Sequence, residues 1–213
     1  MASDPLPSRI FLLSPAHCGG KRAELLLSER AEFDLATRLR SPGGVALGEA
    51  FRFVSGLYFR GKLAYAVRFG RAPAGVAGAQ VITTNRGLVP AETPIGLDDL
   101  REFGAVDIRP DDPRYRGPVD RDLARLAGEP GLEIVLLGSV ATGKYVDVLL
   151  EALGDRLVFP ADFLGRGDMS RGALLLRAVR EGRELEYARV VQVVRRTAQR
   201  RARLARLTAE PGA

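Results

Sequence analysis

Four short apolar runs along the chain lack the alternation expected of a half-buried strand. They cover residues 9–13 (RIFLL), 80–83, 134–137 and 156–159. An unbroken apolar run of this length is typical of a strand buried on both faces of a mostly parallel sheet. The sequence therefore predicts that these runs form the interior strands of one sheet.

Amphipathic segments separate the strands. Apolar residues recur at helical spacing in segments 22–27, 32–40, 46–54, 58–69, 97–103, 120–127, 145–153 and 169–179. This alternation favours an α/β fold, a three-layer open and mostly parallel sheet with helices on both faces. Segment 109–120 (RPDDPRYRGPVD) is rich in proline and charge, and therefore predicts a surface loop.

The ends of the chain have a different pattern. Residues 1–9 are expected to be a disordered lead, and residues 10–186 a single α/β domain. Tyr187, Val190, Val191 and Val194 fall at positions i, i+3, i+4 and i+7. Residues 187–213 are therefore expected to form a basic C-terminal helix and tail with one apolar stripe.

Polar, glycine-bearing loops follow the predicted strands. The first begins at Ser14 and contains His17 and Lys21 beside paired glycines, although those glycines can simply turn the chain. Parallel strands place their carboxyl ends on one edge of a sheet, which is where open α/β folds bind ligands. We therefore expect these loops to meet around one crevice.

The loop of residues 138–145 carries the most specific motif. It matches G-x-x-x-x-G-K, the phosphate-binding P-loop, except that Tyr145 replaces the Ser or Thr that holds Mg²⁺. We therefore expect Gly138, Ser139 and Lys144 to bind a phosphate or carboxylate without a metal.

The loop after residue 83 (TTNRGLVP) carries further hydrogen-bond donors. Thr84 adds a hydroxyl, Arg86 can bind an anion or a base edge through two parallel hydrogen bonds, and Asn85 can pair with the amide-like edge of a base. Gly87 fits a tight turn. Asn is also common in loops for its turn chemistry alone.

The segment of residues 58–69 places Tyr58, Lys62, Tyr65 and Phe69 on one helical face. Such a stripe is more often core than a surface that stacks on bases, but Arg60 and Lys62 could project from its first turn toward a ligand.

Composition narrows the chemistry. The chain of 213 residues has one cysteine, Cys18, and one histidine, His17, so it lacks the donors of a typical zinc site. H-E-x-x-H, C-x-x-C and G-x-S-x-G motifs are all absent, and Cys18 is not expected to be a nucleophile. Acid–base chemistry would then depend on carboxylates, Lys, Tyr or a positioned water. Asp162 and Asp168 are the candidates, although Asp168 also suits a helix N-cap. We expect no metal and no cofactor.

The N-terminus lacks the features of a signal peptide, so a cytoplasmic location with no membrane partner is expected.

The net charge of +6 is concentrated near the C-terminus. Segment 189–206 contains seven arginines and no acidic residue, which leaves the remainder of the chain close to neutral. Polyanion binding is therefore expected from this segment. The arginines assigned to nucleic acid are Arg195, Arg196, Arg200, Arg201 and Arg203.

Four stretches also resemble known proteins as a set: SGLYFRGKLAYA (55–66), VITTNRGLVPAETPI (81–95), LLGSVATGKYVDVLL (136–150) and FPADFLGRGDMSRGALLLRAV (159–179). Together they resemble a group of small bacterial α/β proteins that are similar to the YaaA peroxide-stress proteins. They are also similar to the uracil-DNA-glycosylase-like domains of archaeosine tRNA enzymes. The resemblance implies a three-layer α/β fold with a nucleic-acid or nucleobase connection, although the G-Q-D-P-Y and H-P-S loops of active uracil-DNA glycosylases are absent.

The expected function is nucleic-acid binding, to DNA or RNA, with a nucleobase or nucleotide pocket at the carboxyl ends of the strands. If the protein is an enzyme, we expect a metal-independent glycosidic-bond hydrolase or transferase, with Asp162 and Asn85 as catalytic residues. The alternatives are a non-catalytic interaction protein that acts through its basic C-terminal helix and an enzyme on a free nucleotide or another anionic metabolite. The predicted ligand-binding residues are Ser14, Tyr58, Arg60, Lys62, Arg86, Gly87, Gly138, Ser139, Lys144, Tyr145, Arg166, Asp168 and Arg171.

Overall fold

The computed structural model describes residues 7–140 and 143–194, apart from the side chain of Lys144. The strands are β1 (Arg9–Leu13), β2 (Val45–Ala46), β3 (Ala79–Ile82), β4 (Leu88–Pro90), β5 (Pro94–Ile95), β6 (Glu133–Leu137), β7 (Leu157–Pro160) and β8 (Tyr187–Arg189). The helices are α1 (Lys21–Leu27), α2 (Asp34–Arg40), α3 (Leu47–Ser55), α4 (Leu57–Phe69), α5 (Leu97–Ala105), α6 (Pro113–Ala127), α7 (Gly143–Leu153) and α8 (Asp168–Glu181).

Six strands form the main sheet, in the order β4-β3-β1-β6-β7-β8. Strands β3, β1, β6 and β7 are parallel, whereas β4 and β8 are antiparallel edge strands. Strand β1 is buried along its whole length, as expected for a central strand covered on both faces. The predicted three-layer α/β fold is confirmed.

Helices cover both faces of the sheet. The right-handed rule for connections between parallel strands places α4 on one face and α6 and α7 on the other. Helix α8 packs against α4 and so shares its face. Helices α4 and α8 cross at Gly61 and Gly172, where a methyl group on Gly61 would lie 2.7 Å from the Gly172 carbonyl oxygen. This close crossing brings the first turns of α4 and α8 together at the carboxyl edge of the sheet.

Two predicted loops are regular structure instead. Segment 109–120 contains the start of α6, where Asp112 caps the helix by accepting a hydrogen bond from the Arg114 N–H at 2.9 Å. Pro113 occupies the first turn, where a missing N–H costs nothing. The segment after β3 is a hairpin that leads into β4, because Gly87 adopts a φ of +75° and accepts a hydrogen bond from the Thr83 N–H.

The chain ends also differ from the prediction. Arg9 begins β1, so the predicted lead extends one residue too far. Tyr187 lies in β8, paired with Pro160, and the helical residues are 190–194. The sheet therefore continues past the predicted boundary at residue 186, and the rest of the predicted basic helix and tail lies outside the described residues. No helix within the described part of the chain is long and apolar enough to cross a membrane.

Candidate functional site

A cavity of about 290 Å³ lies at the carboxyl ends of the parallel strands. Strands β1 and β6 are neighbours in the sheet, but the connections that follow them run to opposite faces. A crevice therefore opens between their carboxyl ends. The cavity is lined by Ser14, Pro15, Ala16, His17, Cys18, Gly19, Tyr58, Thr84, Phe103, Gly104, Val106, Asp107, Ile108, Ser139, Tyr145 and Asp168. The loops after β1, β3 and β6 therefore meet here as predicted, through Ser14, Thr84 and Ser139. Of the other residues expected around this crevice, Asn85, Arg86 and Asp162 do not line it, and the side chain of Lys144 lies outside the described residues.

Ser14 lines the cavity, and the buried side chain of Lys62 contacts Ser14 from outside the lining. The Nζ atom of Lys62 donates a hydrogen bond to the Ser14 carbonyl oxygen at 2.6 Å and lies 2.9 Å from Ser14 Oγ. Ser14 directly follows β1, whose backbone is fixed in the centre of the sheet. Lys62 comes from the second turn of α4. The amine and hydroxyl are thus held by two rigid elements that meet at this point.

Lys62 is only 1% exposed, the most buried charged side chain among the described residues. Its Nζ lies 4.6 Å from the Tyr58 ring centroid and 4.8 Å from that of Phe59. The negative charge of Asp168 favours the protonated form of Lys62. The Asp168 carboxylate, however, forms its ion pair with Arg171, at 3.5 Å. Burial lowers the pKa of Lys62 to about 7, and Asp168 opposes this shift.

Tyr145 closes the cavity beside Ser14. Its hydroxyl accepts a hydrogen bond from the Ser139 N–H at 3.0 Å and donates to the Ser139 carbonyl oxygen at 3.1 Å. Burial raises the pKa of Tyr145, while hydrogen bonds with Ser14 and Ser139 oppose the shift. A Cβ on Gly138 would lie 2.7 Å from the Tyr145 hydroxyl and 2.9 Å from Ser14 Cβ. Glycine at this position therefore allows the two side chains to meet.

Tyr145 occupies the position that Ser or Thr has in a P-loop, but its hydroxyl points back into the fold. It holds the strand-to-helix turn closed from inside, which is a different role from binding a metal-linked phosphate. Lys144, the other P-loop candidate, has a side chain outside the described residues.

The first turns of α4 and α8 form another wall. Tyr58 is 7% exposed, and burial raises the pKa of its hydroxyl above the ordinary value. Arg171 is predicted to bind ligand, yet its guanidinium donates to the Phe163 carbonyl oxygen at 3.3 and 3.2 Å. Its side chain is only 12% exposed. Arg171 therefore supports the wall, and Asp168 is the residue of this helix that lines the cavity.

Cys18 and His17 lie on the loop that follows Ser14. Cys18 is buried, and burial raises the pKa of its thiol to about 11. The neutral thiol is therefore the dominant form at neutral pH, in agreement with the prediction that Cys18 is not a nucleophile. His17 is exposed at the rim.

The loop after β3 contributes only Thr84, which donates to the Phe103 carbonyl oxygen at 3.0 Å. Arg86 instead forms ion pairs with Asp99 and Glu102 on α5, both at 2.6 Å. Asn85 does not line the cavity, although its Oδ1 is buried without a hydrogen-bond partner among the described residues. The predictions that Arg86 binds ligand and that Asn85 is catalytic there are not supported.

Other predicted residues also lie away from the cavity lining. Gly87 has a structural role in the hairpin, since a Cβ would lie 2.2 Å from Asp122 Oδ2. Asp162 is exposed, and its carbonyl oxygen accepts a hydrogen bond from exposed Arg166 at 2.8 Å. Arg60 is exposed in a different surface groove, with Arg22 and Arg52. Arg195, Arg196, Arg200, Arg201 and Arg203 lie outside the described residues.

The wall formed by Phe103 to Ile108 is absent from the sequence prediction. It is the end of α5 and the loop after it, where no motif marks a binding function. Its position follows from packing, because Thr84 bonds to Phe103 and Gly104 lies against Cys18. Within the described residues, no group of three or more His, Cys, Asp or Glu side chains could hold a metal ion.

Comparison with known proteins adds no assignment: no family model, curated protein or solved structure matches this chain. The resemblance to YaaA-like and uracil-DNA-glycosylase-like proteins stays a prediction from the four quoted stretches.

Proposed function

We propose that the cavity binds a nucleobase, presented by a nucleic acid or a nucleotide, while the basic segment 189–206 contacts phosphates. The main support is the composition of the lining. It combines aromatic and apolar walls with hydroxyls and with the carboxylates of Asp107 and Asp168. No described lining residue is Arg or Lys, so the cavity suits a neutral ring with N–H donors better than a phosphate.

The volume of the site agrees with a ligand of modest size. A cavity of about 290 Å³ lies at the small end of the usual range for ligand pockets. Tyr58 and Phe103 supply ring surface, and Thr84 and Ser139 supply hydroxyls just after β3 and β6, the strands on either side of β1. Aromatic surface stacks on any base, whereas the polar groups select its edge.

Phosphate affinity would come from outside the cavity. The seven arginines of segment 189–206 are the densest basic cluster in the sequence. Because phosphate binding releases counterions, affinity through these residues should fall steeply with salt. Base binding in the cavity should depend little on salt.

Calorimetric titration with free bases, nucleosides, nucleotides and single-stranded oligonucleotides tests the proposal. Asp168→Asn should weaken binding of bases that carry an exocyclic amine by about tenfold, because one charge-assisted hydrogen bond is removed. Asp111→Asn, an exposed acid outside the cavity, is the matched control and should bind as the wild type does.

A second variant separates the two parts of the proposal. Replacing Arg195, Arg196, Arg200, Arg201 and Arg203 with Gln in the full chain should flatten the salt dependence of oligonucleotide binding. The slope should fall by about 0.7 for each phosphate of the single strand that an arginine no longer neutralises. Free-base binding should be unchanged. Competition by orthophosphate but not by any base would overturn the proposal in favour of an anionic metabolite, and oligonucleotide binding with no base binding would favour an interaction protein.

A further inference from the structure

We propose that Ser14 is a nucleophile activated by Lys62, and that the cavity hydrolyses an ester or amide of a carboxylic acid. This activity goes beyond base binding and does not depend on it. The geometry that carries it is the 2.9 Å contact between Lys62 Nζ and Ser14 Oγ at the floor of a cavity that Ser14 lines. A nucleophile and base within hydrogen-bond reach are the signature of a serine–lysine pair.

The surroundings of Lys62 favour a neutral amine. A buried ammonium is costly unless a carboxylate compensates it, and Asp168 pairs with Arg171 instead. The two contacts of Nζ also fit the neutral form. Nζ donates to the Ser14 carbonyl oxygen and to Ser14 Oγ. In the neutral form, the same 2.9 Å contact lets the lone pair of Nζ accept the Oγ proton during reaction. The lowered pKa of Lys62, about 7, agrees with this arrangement.

Hydrogen bonds fix the position of the Lys62 amine relative to Ser14. Its hydrogen bond to the Ser14 carbonyl oxygen anchors it to the end of β1, so the base and the nucleophile move together. The Tyr145 hydroxyl also contacts Ser14 and is held by the Ser139 backbone. Ser14 thus contacts both Lys62 and Tyr145 while it lines the cavity.

The reaction would proceed in two balanced steps. Ser14 Oγ bonds to the carbonyl carbon while Lys62 takes the Oγ proton; the bond to the leaving alcohol or amine then breaks, and Lys62 returns the proton to that group. Water next attacks the acyl-serine while Lys62 takes its proton. The acyl–Oγ bond breaks, Ser14 Oγ regains the proton, and a carboxylic acid is released.

Other titratable or charged groups surround Lys62 and must be separated from it in any pH study. They are Tyr58 on its own helix, Asp168 and Arg171 on α8, Tyr145 on α7, and His17, Cys18 and Asp107 in the cavity wall.

The test is covalent labelling of the full-length protein with a fluorophosphonate probe, with the labelled peptide identified by mass spectrometry. The wild type should be labelled at Ser14, and Ser14→Ala should lose this label. Ser170→Ala changes an exposed serine on α8 that contacts Arg166, and should be labelled at the wild-type rate. Folded wild-type protein with no label on Ser14 would overturn the proposal.

Lys62→Met should slow labelling about 100-fold, within the range for loss of a general base. Lys62→Arg retains a cation but cannot act as a base near neutral pH, and should be equally slow if it folds. Labelling at the wild-type rate in either variant would contradict the role of Lys62.

The pH profile provides a readout that a structural role would not change. Because only the neutral amine accepts a proton, the wild-type rate should rise with pH through about 7. The rise should persist in His17→Gln, which removes the imidazole from the cavity wall. A flat wild-type profile, or loss of the rise in His17→Gln, would overturn the assignment to Lys62 even if both lysine variants fail to fold.

Discussion

A buried basic side chain lies at each end of β1, and the two differ in whether a carboxylate pairs with them. At the amino end, Arg9 is 8% exposed and pairs with Glu133, the first residue of β6, at 2.5 Å. It also pairs with Glu184, which in turn accepts from Arg71 at 3.1 Å. At the carboxyl end, Lys62 is more deeply buried but has hydroxyl, carbonyl and aromatic neighbours in place of a paired carboxylate.

The difference separates structural charge from reactive charge. Arg9 is satisfied by two acids and by the Tyr187 ring, whose centroid lies 4.6 Å from its guanidinium carbon. Its charge is stabilised, so its role is to join β1 to the neighbouring elements. Lys62 has its charged form disfavoured, which leaves an amine able to exchange a proton at neutral pH. Pairing is therefore the feature that distinguishes the two sites.

The largest predicted effect is a loss of stability when the buried ion pairs of Arg9, at the amino end of β1, are removed. Arg9→Met leaves Glu133 and part of Glu184 uncompensated, and should lower the free energy of unfolding by about 3 kcal/mol. Urea denaturation measures this change. Arg38→Met is the matched control, because Arg38 also pairs with two acids, Asp34 and Glu49, but at an exposed site. Equal destabilisation of the two variants would mean that burial does not strengthen the Arg9 network.

Lys62, which has no paired carboxylate, should make the stability of the protein depend on pH. The pKa of Lys62 falls from 10.5 to about 7 on folding, so between these values the unfolded state binds more protons than the folded state. The free energy of unfolding should therefore rise with pH in this window, by up to about 1.4 kcal/mol per pH unit. Below pH 7 both states are protonated, and this contribution becomes flat.

Comparison of the wild type with Lys62→Met isolates the effect. Chemical denaturation of both proteins from pH 6 to 8.5 should show the wild type gaining about 2 kcal/mol relative to the variant. Tyrosine titration lies above this window, and titration of the unfolded Cys18 thiol at its upper end contributes equally to both proteins. An unchanged difference across the window would show that Lys62 stays charged, and would remove the basis for its role as a base.

The sequence predicts the centre of this fold well. Apart from Arg9, the runs that became β1 and β6 have no polar position, which favoured burial on both faces. Parallel strands then require Ser14 and Ser139 to lie on one edge. The antiparallel strands β4 and β8 were missed because each has only three residues, too few for a periodic signal. The start of α6 was missed because its prolines resemble those of a loop.

The site was predicted less completely, for a physical reason. The helical spacing of Tyr58, Lys62, Tyr65 and Phe69 placed Lys62 on the buried stripe, yet Lys62 was also named as a residue that could project toward a ligand. The periodicity was the better guide. Phe103 to Ile108 carry no local signal, since only tertiary packing brings them to the cavity.

The last prediction, with the smallest expected effect, concerns Arg86. It tests whether ion pairing also identifies a predicted ligand-binding residue as structural. Arg86 was expected to bind a ligand, but its guanidinium pairs with Asp99 and Glu102 and is 39% exposed. By the criterion drawn from Arg9 and Lys62, it is structural. At such exposure, water screens the pairs, so Arg86→Ala should cost no more than about 1 kcal/mol. Asp99 should still cap α5 through its 2.6 Å hydrogen bond from the Gly96 N–H.

Two measurements check this expectation. Thermal unfolding of Arg86→Ala should resemble that of Arg101→Ala, a variant of an exposed arginine that pairs with Asp98 on the same helix. Titration of Arg86→Ala with nucleobases should give affinities within about twofold of the wild type, because the guanidinium is committed to α5 and does not line the cavity. A tenfold decrease in base affinity with unchanged stability would place Arg86 in the site after all, and would show that ion pairing does not separate structural from functional charge in this protein.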